Sequence, residues 1–325
     1  MAAQPAAPAR AARPLRSMLF IPAHKREWML KAAAYGADAL IYDLEDAAPI
    51  DEKPRAREIV AEILGEQRAH PFAQWVRVNG WRTGQMAADL DAVVRPGLDG
   101  VLLAKTDSET DVSALDLMLD DLERARGLPA GEIEISPICE TAHGIYRTFE
   151  VCMASPRVKR IGSLLAVNVP GGDGTRALDL RLSSDARETL YIGARTILEA
   201  RAAGVQNILG GMTGNIRDLD GLRELHETSR RFGASGAFAI HPSHVPILNE
   251  IYTPSSEELE RAIAVLRAMA NGIARHDAAV LLDGVMIDYA HVRSALDVVE
   301  RARLAGVDVG EIPDLDVLSR NPGAG

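Results

Sequence analysis

The hydrophobic pattern divides most of the chain into short apolar runs that alternate with longer segments of helical period. The runs end at Gly, Pro or a charged residue, as expected of strands buried in a sheet. The segments between them repeat apolar residues every three or four positions, which is typical of amphipathic helices, notably at 186–203 and 219–232. We predict eight strands, at 17–22, 39–43, 75–79, 101–105, 132–140, 161–167, 205–211 and 237–241.

Strands that alternate with helices predict a parallel sheet with right-handed crossovers. Eight such units in succession favour a closed (β/α)8 TIM barrel over an open doubly wound sheet. We assign the barrel to residues 15–251. Residues 1–14, rich in Ala, Pro and Arg, are expected to form a flexible N-terminal tail.

The chain continues past the eighth unit, and we assign residues 252–325 to a C-terminal arm or lid. A helix start signal at Ser255 or Ser256 precedes one helical segment, and a second helix is predicted from Ala290 to Leu304. Between them, Asp283-Gly284 separates two short apolar runs and predicts a β-hairpin. This part is expected to close over the barrel or to contact a neighbouring subunit.

Residues capable of chemistry stand where most of the predicted strands end. In a parallel barrel, catalytic groups gather at this edge. Buried charges are costly unless they pair or hold an ion, so several acids beside arginines predict a metal site for an anionic substrate. Oxygen ligands with few histidines favour Mg²⁺, with Mn²⁺ as the alternative, over Zn²⁺. These strand-end residues are Asp43 with Glu45 and Asp46, Arg77 with Asn79, Lys105, Glu140 and His241.

Two acids are the candidate metal ligands. Glu140 ends the fifth apolar run, and Asp173 is the acid of the glycine-rich loop 168–176, where glycines would allow the backbone to approach a ligand closely. Each also has a purely structural interpretation. Glu140 would then cap a helix, and Asp173 would belong to an ordinary surface turn.

The remaining candidates also have two interpretations each. Arg16 and Lys105 are candidate substrate ligands, but Arg16 would alternatively pair with an acid on the barrel rim, and Lys105 would extend from its strand end towards water. Arg77 lies inside a strand, where a catalytic or substrate-binding role is favoured over a structural ion pair. Asp288 would be an ordinary helix N-cap in a monomer.

Composition narrows the function classes. The chain has 325 residues with a formal charge of −10, so it lacks the basic surface that nucleic acids or anionic membranes attract. No apolar run is long enough to span a bilayer. The two cysteines, Cys139 and Cys152, match neither a zinc nor a redox spacing, and we expect both to be buried in a cytoplasmic protein.

Seven motifs in order along the chain resemble the HpcH/HpaI aldolase and citrate lyase superfamily. The similarity is closest to its citrate lyase β-subunit-like, or CoA-ester lyase, branch and extends from Arg16 to about Arg303. The motifs are Arg16–Pro22, Gly36–Ala47, Val76–Asn79, Glu140–Gly144, Ala239–Pro242, Tyr252–Pro254 and Met286–Asp288.

The resemblance implies a (β/α)8 barrel and a role for each matched residue. It implies a homotrimer or hexamer whose arm reaches over a neighbouring subunit. The implied roles are Mg²⁺ binding by Glu140 and Asp173, contact with the substrate's keto or hydroxyl oxygen by Arg77 and with its carboxylate by Arg16, support of metal-bound water by Glu45 and Asp46, and acid/base catalysis by Asp288.

The reaction expected from this resemblance is reversible carbon–carbon cleavage of a 3-hydroxyacyl-CoA. A malyl-CoA or citramalyl-CoA type of thioester would give an acyl-CoA and a 2-oxoacid. Three alternatives stay open: a CoA-ester thioesterase with the same metal, a citrate lyase β subunit that requires an acyl carrier, and a CoA-independent class II pyruvate aldolase. The C-terminal arm speaks against the last of these.

Overall fold

The computed structural model of the protein describes residues 13–67, 70–165 and 167–313. The chain forms two compact units, and the boundary between them in the sequence falls between Tyr252 and Thr253. The first contains the strands predicted for the barrel, and the second contains the predicted hairpin and its flanking helices. Most of the expected tail, residues 1–12, and the last part of the expected arm, residues 314–325, lie outside the described residues.

Eight parallel strands form the first unit's sheet, in the order β5-β4-β3-β2-β1-β8-β7-β6. Isolated bridges from Ile135 to Val158 and from Ile138 to Gly162 bring β5 beside β6, so the sheet is a nearly closed barrel. This confirms the predicted (β/α)8 architecture. The strands are β1 Ser17–Pro22, β2 Ala39–Asp43, β3 Ala73–Val78, β4 Gly100–Leu103, β5 Glu134–Pro137, β6 Arg160–Gly162, β7 Asn207–Gly210 and β8 Gly236–Ala239.

Helices connect the strands and cover the barrel. The helical segment after β5 is interrupted: the backbone turns at Arg147, and the Thr148 hydroxyl donates to the Ile145 carbonyl at 2.8 Å. The helices are α1 Arg26–Ala32, α2 Lys53–Glu66, α3 Met86–Val93, α4 Glu109–Arg126, α5 Ala142–Tyr146, α6 Thr148–Met153, α7 Asp173–Ala177, α8 Leu190–Ala202, α9 Leu219–Arg231 and α10 His244–Tyr252, with 3₁₀ turns at Ala33–Tyr35, Trp81–Thr83 and Arg187–Thr189.

Apolar side chains fill the barrel interior and the layer between strands and helices. Because the strands are buried on both faces, their sequences are nearly continuous apolar runs. Trp75 is buried in the interior cluster, and a Cβ at Gly100 would lie 2.4 Å from its ring, so only glycine fits there. The buried Cys139 and Cys152 are free thiols, as expected.

The second unit consists of α11 (Ser256–Ala274), β9 (Val280–Leu282), β10 (Val285–Ile287) and α12 (Tyr289–Leu304). The two strands are antiparallel. Asp283 and Gly284 between them have φ of 52° and 78°, the backbone of the predicted Asp-Gly hairpin turn. In the described part of the chain, no helix combines the length and apolar character required to cross a membrane.

Candidate active site

Strand register brings charged residues together at the carboxyl ends of β2 to β5. Asp43, the last residue of β2, lies opposite Arg77 of β3. Lys105 follows β4, and Glu140 follows β5. We call the set at this edge the acidic cluster. It comprises Asp43, Glu45, Asp46, Arg77, Lys105, Glu140 and Asp173.

The Arg77 guanidinium is held on three sides. Its Nε and Nη2 donate to the two carboxylate oxygens of Asp43 at 2.8 and 2.5 Å, and Nη1 lies 3.1 Å from Oε2 of Glu45. The group also lies 5.0 Å over the Phe20 ring. Burial alone would lower the pKa of Arg77, but the hydrogen bond and charge of Asp43 raise it, so the guanidinium stays charged. A bidentate pair of this kind fixes orientation as well as charge.

Lys105 connects the acids of three different loops. Its backbone N–H donates to Oε1 of Glu140 at 2.9 Å. The Lys105 backbone has a φ of 51°, in the left-handed region. Its ammonium donates to Glu45, lies 3.2 Å from both carboxylate oxygens of Asp46, and lies 3.4 Å from Oδ2 of Asp173. Burial would lower the pKa of Lys105, but the hydrogen bonds and charges of Glu45 and Asp46 raise it overall. The side chain is therefore a counter-ion within the cluster.

Glu140 has the most perturbed carboxyl group of the candidate ligands. Its pKa is raised to about 7, first because burial disfavours the charged form and further because Glu45 and Asp173 repel it. The Lys105 N–H and the charge of Arg77 offset only part of this effect. The pKa of Glu45 is also raised, with burial as the largest cause.

Asp173 begins α7 at the end of the glycine-rich loop. Gly171 adopts φ of 78°, and the Thr175 hydroxyl donates to the Gly172 carbonyl at 2.9 Å, which fixes the loop's course. Arg176 donates to Oδ1 of Asp173 at 2.9 Å. Burial would raise the pKa of Asp173, but Arg176 and Lys105 lower it overall, so this carboxylate is charged at neutral pH.

A buried lysine that the sequence analysis missed supports the loop carrying Glu45. Lys53 donates to the carbonyls of Leu44 and Glu45 at 2.6 and 2.7 Å and to Oδ1 of Asn79 at 2.7 Å. Asn79 in turn donates to Asp89 at 2.7 Å. The available signal was a lysine at the start of a helix, where the helix dipole disfavours a cation.

The acidic cluster fits a bound Mg²⁺ ion. Over residues 13–67, 70–165 and 167–313, no three or more His, Cys, Asp or Glu side chains are arranged as a metal site. Mg²⁺, however, commonly takes one or two carboxylates and completes its shell with water and substrate oxygens, which Glu140 and Asp173 would allow. Among its own members the cluster holds five carboxylates and two cations, Arg77 and Lys105, and Arg176 pairs with Asp173 from outside it, so an excess of acids remains that a divalent ion would offset.

Arg16 does not belong to the cluster. It precedes β1 and therefore lies at the opposite, amino end of the barrel strands. Its Nε and Nη2 donate to the two carboxylate oxygens of Asp38 at 2.8 and 2.7 Å. This is the ion pair on the barrel rim that was the alternative interpretation. This position gives the expected contact of Arg16 with a substrate carboxylate no support, so that contact stays a prediction, and Arg16 is not among the residues that we propose to bind substrate.

Asp288 lies in the second unit, at the N-cap of α12. Its Oδ1 accepts the Ala290 N–H at 3.0 Å and lies 2.8 Å from Nδ1 of His291. The His291 hydrogen bond is the largest cause of a lowered pKa of Asp288. In the single chain this residue is therefore a charged helix cap, and a role in acid/base catalysis stays a proposal.

Known proteins place this chain in a family. The model of the HpcH/HpaI aldolase/citrate lyase family matches residues 16–242, most of the chain and nearly all of the barrel. The chain belongs to that family. Its motifs had predicted this membership, and the matched segment contains every residue of the acidic cluster.

Two curated proteins are similar to this chain over nearly their whole length. The citrate lyase subunit beta of Escherichia coli K12 is 31% identical over 299 residues, which cover 92% of this chain and 96% of that protein. A (3S)-malyl-CoA thioesterase of Cereibacter sphaeroides ATCC 17025 is 32% identical over 295 residues, which cover 90% of this chain and 96% of that protein. The similarity therefore includes the second unit.

A solved structure is similar to this chain over a comparable length. The CitE protein of Mycobacterium tuberculosis, in complex with magnesium, acetoacetate and coenzyme A, superimposes with a TM-score of 0.65 at 27% identity. The alignment covers 90% of this chain and 99% of that chain.

Proposed function

We propose that the protein is a Mg²⁺-dependent carbon–carbon lyase acting on a 3-hydroxyacyl-CoA of the malyl-CoA or citramalyl-CoA type. Cleavage would give an acyl-CoA and a 2-oxoacid, and the reverse reaction would join them. The observation that carries this proposal is that Lys105 joins Glu140 and Asp173 at the carboxyl end of the barrel, where Asp43 holds the guanidinium of Arg77. The magnesium, acetoacetate and coenzyme A in the similar CitE structure support it.

Glu140 and Asp173 would hold the Mg²⁺ ion, for which Mn²⁺ is the alternative. The bound metal would supply Lewis-acid stabilisation of negative charge on the substrate's oxygens. Glu45 and Asp46 carry further oxygen acceptors beside Lys105 and would orient water at the site. Lys105 itself is the proposed contact for a substrate carboxylate, because its ammonium lies within the cluster rather than in open solvent.

Arg77 would stabilise the charge that develops during cleavage. We propose that it contacts the substrate's keto or hydroxyl oxygen. Because Asp43 and Glu45 already hold the guanidinium in place, little reorganisation is needed as negative charge forms on that oxygen.

Asp288 of a neighbouring subunit is the proposed acid/base in a homotrimer or hexamer. Its lowered pKa leaves it charged at neutral pH and able to accept the hydroxyl proton. As that proton leaves, the bond between the hydroxyl carbon and the thioester's α-carbon breaks. The electron pair of that bond forms the enolate of the acyl-CoA, which then takes up a proton at its α-carbon.

A thioesterase is the second candidate, favoured by the 32% identity to a (3S)-malyl-CoA thioesterase. There water would cleave the thioester bond and release a hydroxyacid and the free thiol of CoA. An acyl-carrier-dependent citrate lyase β subunit and a CoA-independent pyruvate aldolase remain further alternatives, distinguished by whether the CoA esters react at all.

Product analysis separates these candidates. Purified protein with Mg²⁺ is given malyl-CoA and citramalyl-CoA, and both the 2-oxoacid and the free thiol are measured. We expect 2-oxoacid without free thiol, with its release lost in Asp288→Ala and retained in Asp297→Ala, a control at an exposed position of α12. Free thiol without 2-oxoacid would show a thioesterase, and no product from either ester despite bound metal would contradict both proposals.

A further inference from the structure

Two loops at the carboxyl end of the barrel hold each other in place around Glu140. The first, residues 104–108, connects β4 to α4, and the second, residues 138–141, connects β5 to α5. The second loop carries Glu140, a proposed metal ligand, and ends at Thr141, the N-cap of α5. We call these two segments together the loop clasp.

The loop clasp is reciprocal, because each loop carries an acid that accepts a hydrogen bond from the other loop. Oε1 of Glu140 accepts the backbone N–H of Lys105 at 2.9 Å. Oδ1 of Asp107 accepts the Thr141 hydroxyl at 2.6 Å. Hydrogen bonds to a carboxylate are the stronger, charge-assisted kind. Since Glu140 is adjacent to Thr141, and Lys105 is two residues before Asp107, the two bonds close a ring that includes the Glu140 carboxylate.

Backbone contacts leave little room for movement between the two loops. The Thr106 N–H donates to the Ile138 carbonyl at 3.0 Å. A Cβ at Gly144 would lie 2.0 Å from the Thr106 carbonyl oxygen, so α5 can approach the first loop this closely only with glycine there. Lys105 has a left-handed backbone, which is strained for a residue other than glycine. Such a conformation persists only where the surrounding structure fixes it.

Asp107 is anchored in turn by the first turn of α4. Its backbone N–H donates to Oδ2 of Asp111 at 2.8 Å. The other oxygen of its side chain, Oδ2, lies 3.5 Å from the exposed Arg82 and 3.6 Å from Nδ1 of His143. Among the residues that the structure describes, the Thr141 hydroxyl is therefore the nearest partner of the Asp107 carboxylate.

We propose that Asp107 is a positioning residue for the metal centre, which acts through Thr141 to fix the loop that carries Glu140. This inference rests on the proposed metal role of Glu140. The Thr141 hydroxyl transmits the effect, because it donates to Asp107 and also accepts the Gly144 N–H at 2.9 Å. Groups that orient a metal ligand commonly contribute a factor of about 10 to 100 to metal affinity.

A calorimetric Mg²⁺ titration of the full chain, without substrate, tests the proposal. Thr141→Val removes the hydroxyl but keeps the shape and charge of the side chain, and it should weaken Mg²⁺ binding about tenfold or more. Thr141→Ser keeps the hydroxyl and should restore most of the affinity. Asp107→Ala should also weaken binding, and combining it with Thr141→Val should add little, because both changes remove the same hydrogen bond.

Thr148→Val is the matched control, because the Thr148 hydroxyl donates to the Ile145 carbonyl outside the loop clasp. Losing that bond should lower the stability measured by urea unfolding but leave the Mg²⁺ affinity unchanged. The control therefore separates positioning of Glu140 from a general loss of stability.

Two results would overturn the positioning role while the metal centre stands: wild-type Mg²⁺ affinity in Thr141→Val, or an equal loss of affinity in Thr141→Val and Thr141→Ser. If Thr141→Val does not fold, Asp107→Ala decides in its place, since the Asp107 side chain is 31% exposed and its loss leaves no buried cavity. An absence of saturable Mg²⁺ binding by the wild type would overturn the metal centre and the positioning role together.

Discussion

At the scale of single residues, Lys105 determines the charge balance of the candidate active site. Its ammonium lies close to Glu45, Asp46 and Asp173, the last of which is a proposed metal ligand. A cation held against that carboxylate competes electrostatically with Mg²⁺. Two unit charges about 4 Å apart interact by about 1 kcal/mol at the dielectric constant of water.

Replacing Lys105 by Met should therefore strengthen Mg²⁺ binding by about fivefold in the absence of substrate. Isothermal titration of the purified protein measures the change. Lys31→Met, at an exposed position on α1, is the control and should leave the affinity unchanged. Equal or weaker Mg²⁺ binding by Lys105→Met would show that the ammonium does not compete with the metal.

The polar residues of the acidic cluster were predictable because strand direction determines which edge of the barrel a residue reaches. The same rule applied to Arg16, which precedes its strand, places it at the other edge. The sequence does not show which acid each arginine pairs with. Asp38 lies 22 residues from Arg16, and Asp43 lies 34 residues from Arg77, so neither ion pair follows from local pattern.

At the scale of elements, the connection between β2 and α2 depends on a lysine that is not itself in the acidic cluster. Lys53 is 7% exposed and ties the backbone of Leu44 and Glu45 to Asn79. Without it, two backbone carbonyls lose a donor, and Asp89 loses part of the network that balances its charge. The position of Glu45 beside Arg77 should change as a result.

Lys53→Met should lower the free energy of unfolding by about 3 kcal/mol, the usual cost of removing one partner from a buried charged network. Urea denaturation checks this value. Arg55→Met on the exposed face of the same helix is the matched control, and a change within about 0.5 kcal/mol is expected there. A loss for Lys53→Met no larger than that of the control would contradict the supporting role.

The elements themselves were predictable where burial and hydrogen bonding coincide. The Asp283-Gly284 turn was located correctly because its φ values require such residues. The sixth strand was predicted too long: it ends at Gly162, although the apolar run continues to Val167. Leu165 shows the reason, since it is fully buried without belonging to a strand, and an apolar pattern records burial rather than pairing.

At the scale of the whole molecule, buried histidines should make the barrel sensitive to acid. His226 on α9 is fully buried, with Nδ1 at 3.1 Å from the Tyr252 hydroxyl. Burial, with a smaller contribution from the nearby His244, lowers the pKa of His226 to about 3. In the unfolded chain a histidine titrates near 6.5.

The sign of the effect follows from these pKa values. Between about pH 6.5 and pH 3 the unfolded chain binds a proton at His226 that the folded chain does not, so the stability present above pH 6.5 is lost as the pH falls. The loss is about 1.4 kcal/mol per pH unit, or about 2 kcal/mol between pH 6.5 and pH 5. Urea unfolding at pH 7 and pH 5 should show a smaller decrease for His226→Gln than for the wild type.

His143→Gln is the control for this experiment, because its imidazole is largely exposed. Its acid sensitivity should equal that of the wild type. If the His226→Gln and wild-type proteins lose the same free energy between pH 7 and pH 5, His226 is protonated in the folded state and the burial argument fails.

The proposed catalytic role of Asp288 depends on more than one chain, because Asp288 would act in the site of a neighbouring subunit. The sequence predicted its helix and the capping position, because Asp at the start of an apolar periodic segment favours an N-cap. A contact with another subunit leaves no pattern of this kind in a single chain. That role therefore depends on the activity of the Asp288→Ala variant.

The most direct test of the central proposal is a calorimetric titration of the purified protein with Mg²⁺. We predict saturable binding of one ion per chain, with affinity reduced about tenfold or more in both Glu140→Gln and Asp173→Asn because each variant removes one carboxylate ligand. Glu132→Gln, an exposed acid near the amino end of β5, should bind like the wild type. Wild-type affinity in Glu140→Gln and Asp173→Asn would contradict a metal centre at the acidic cluster.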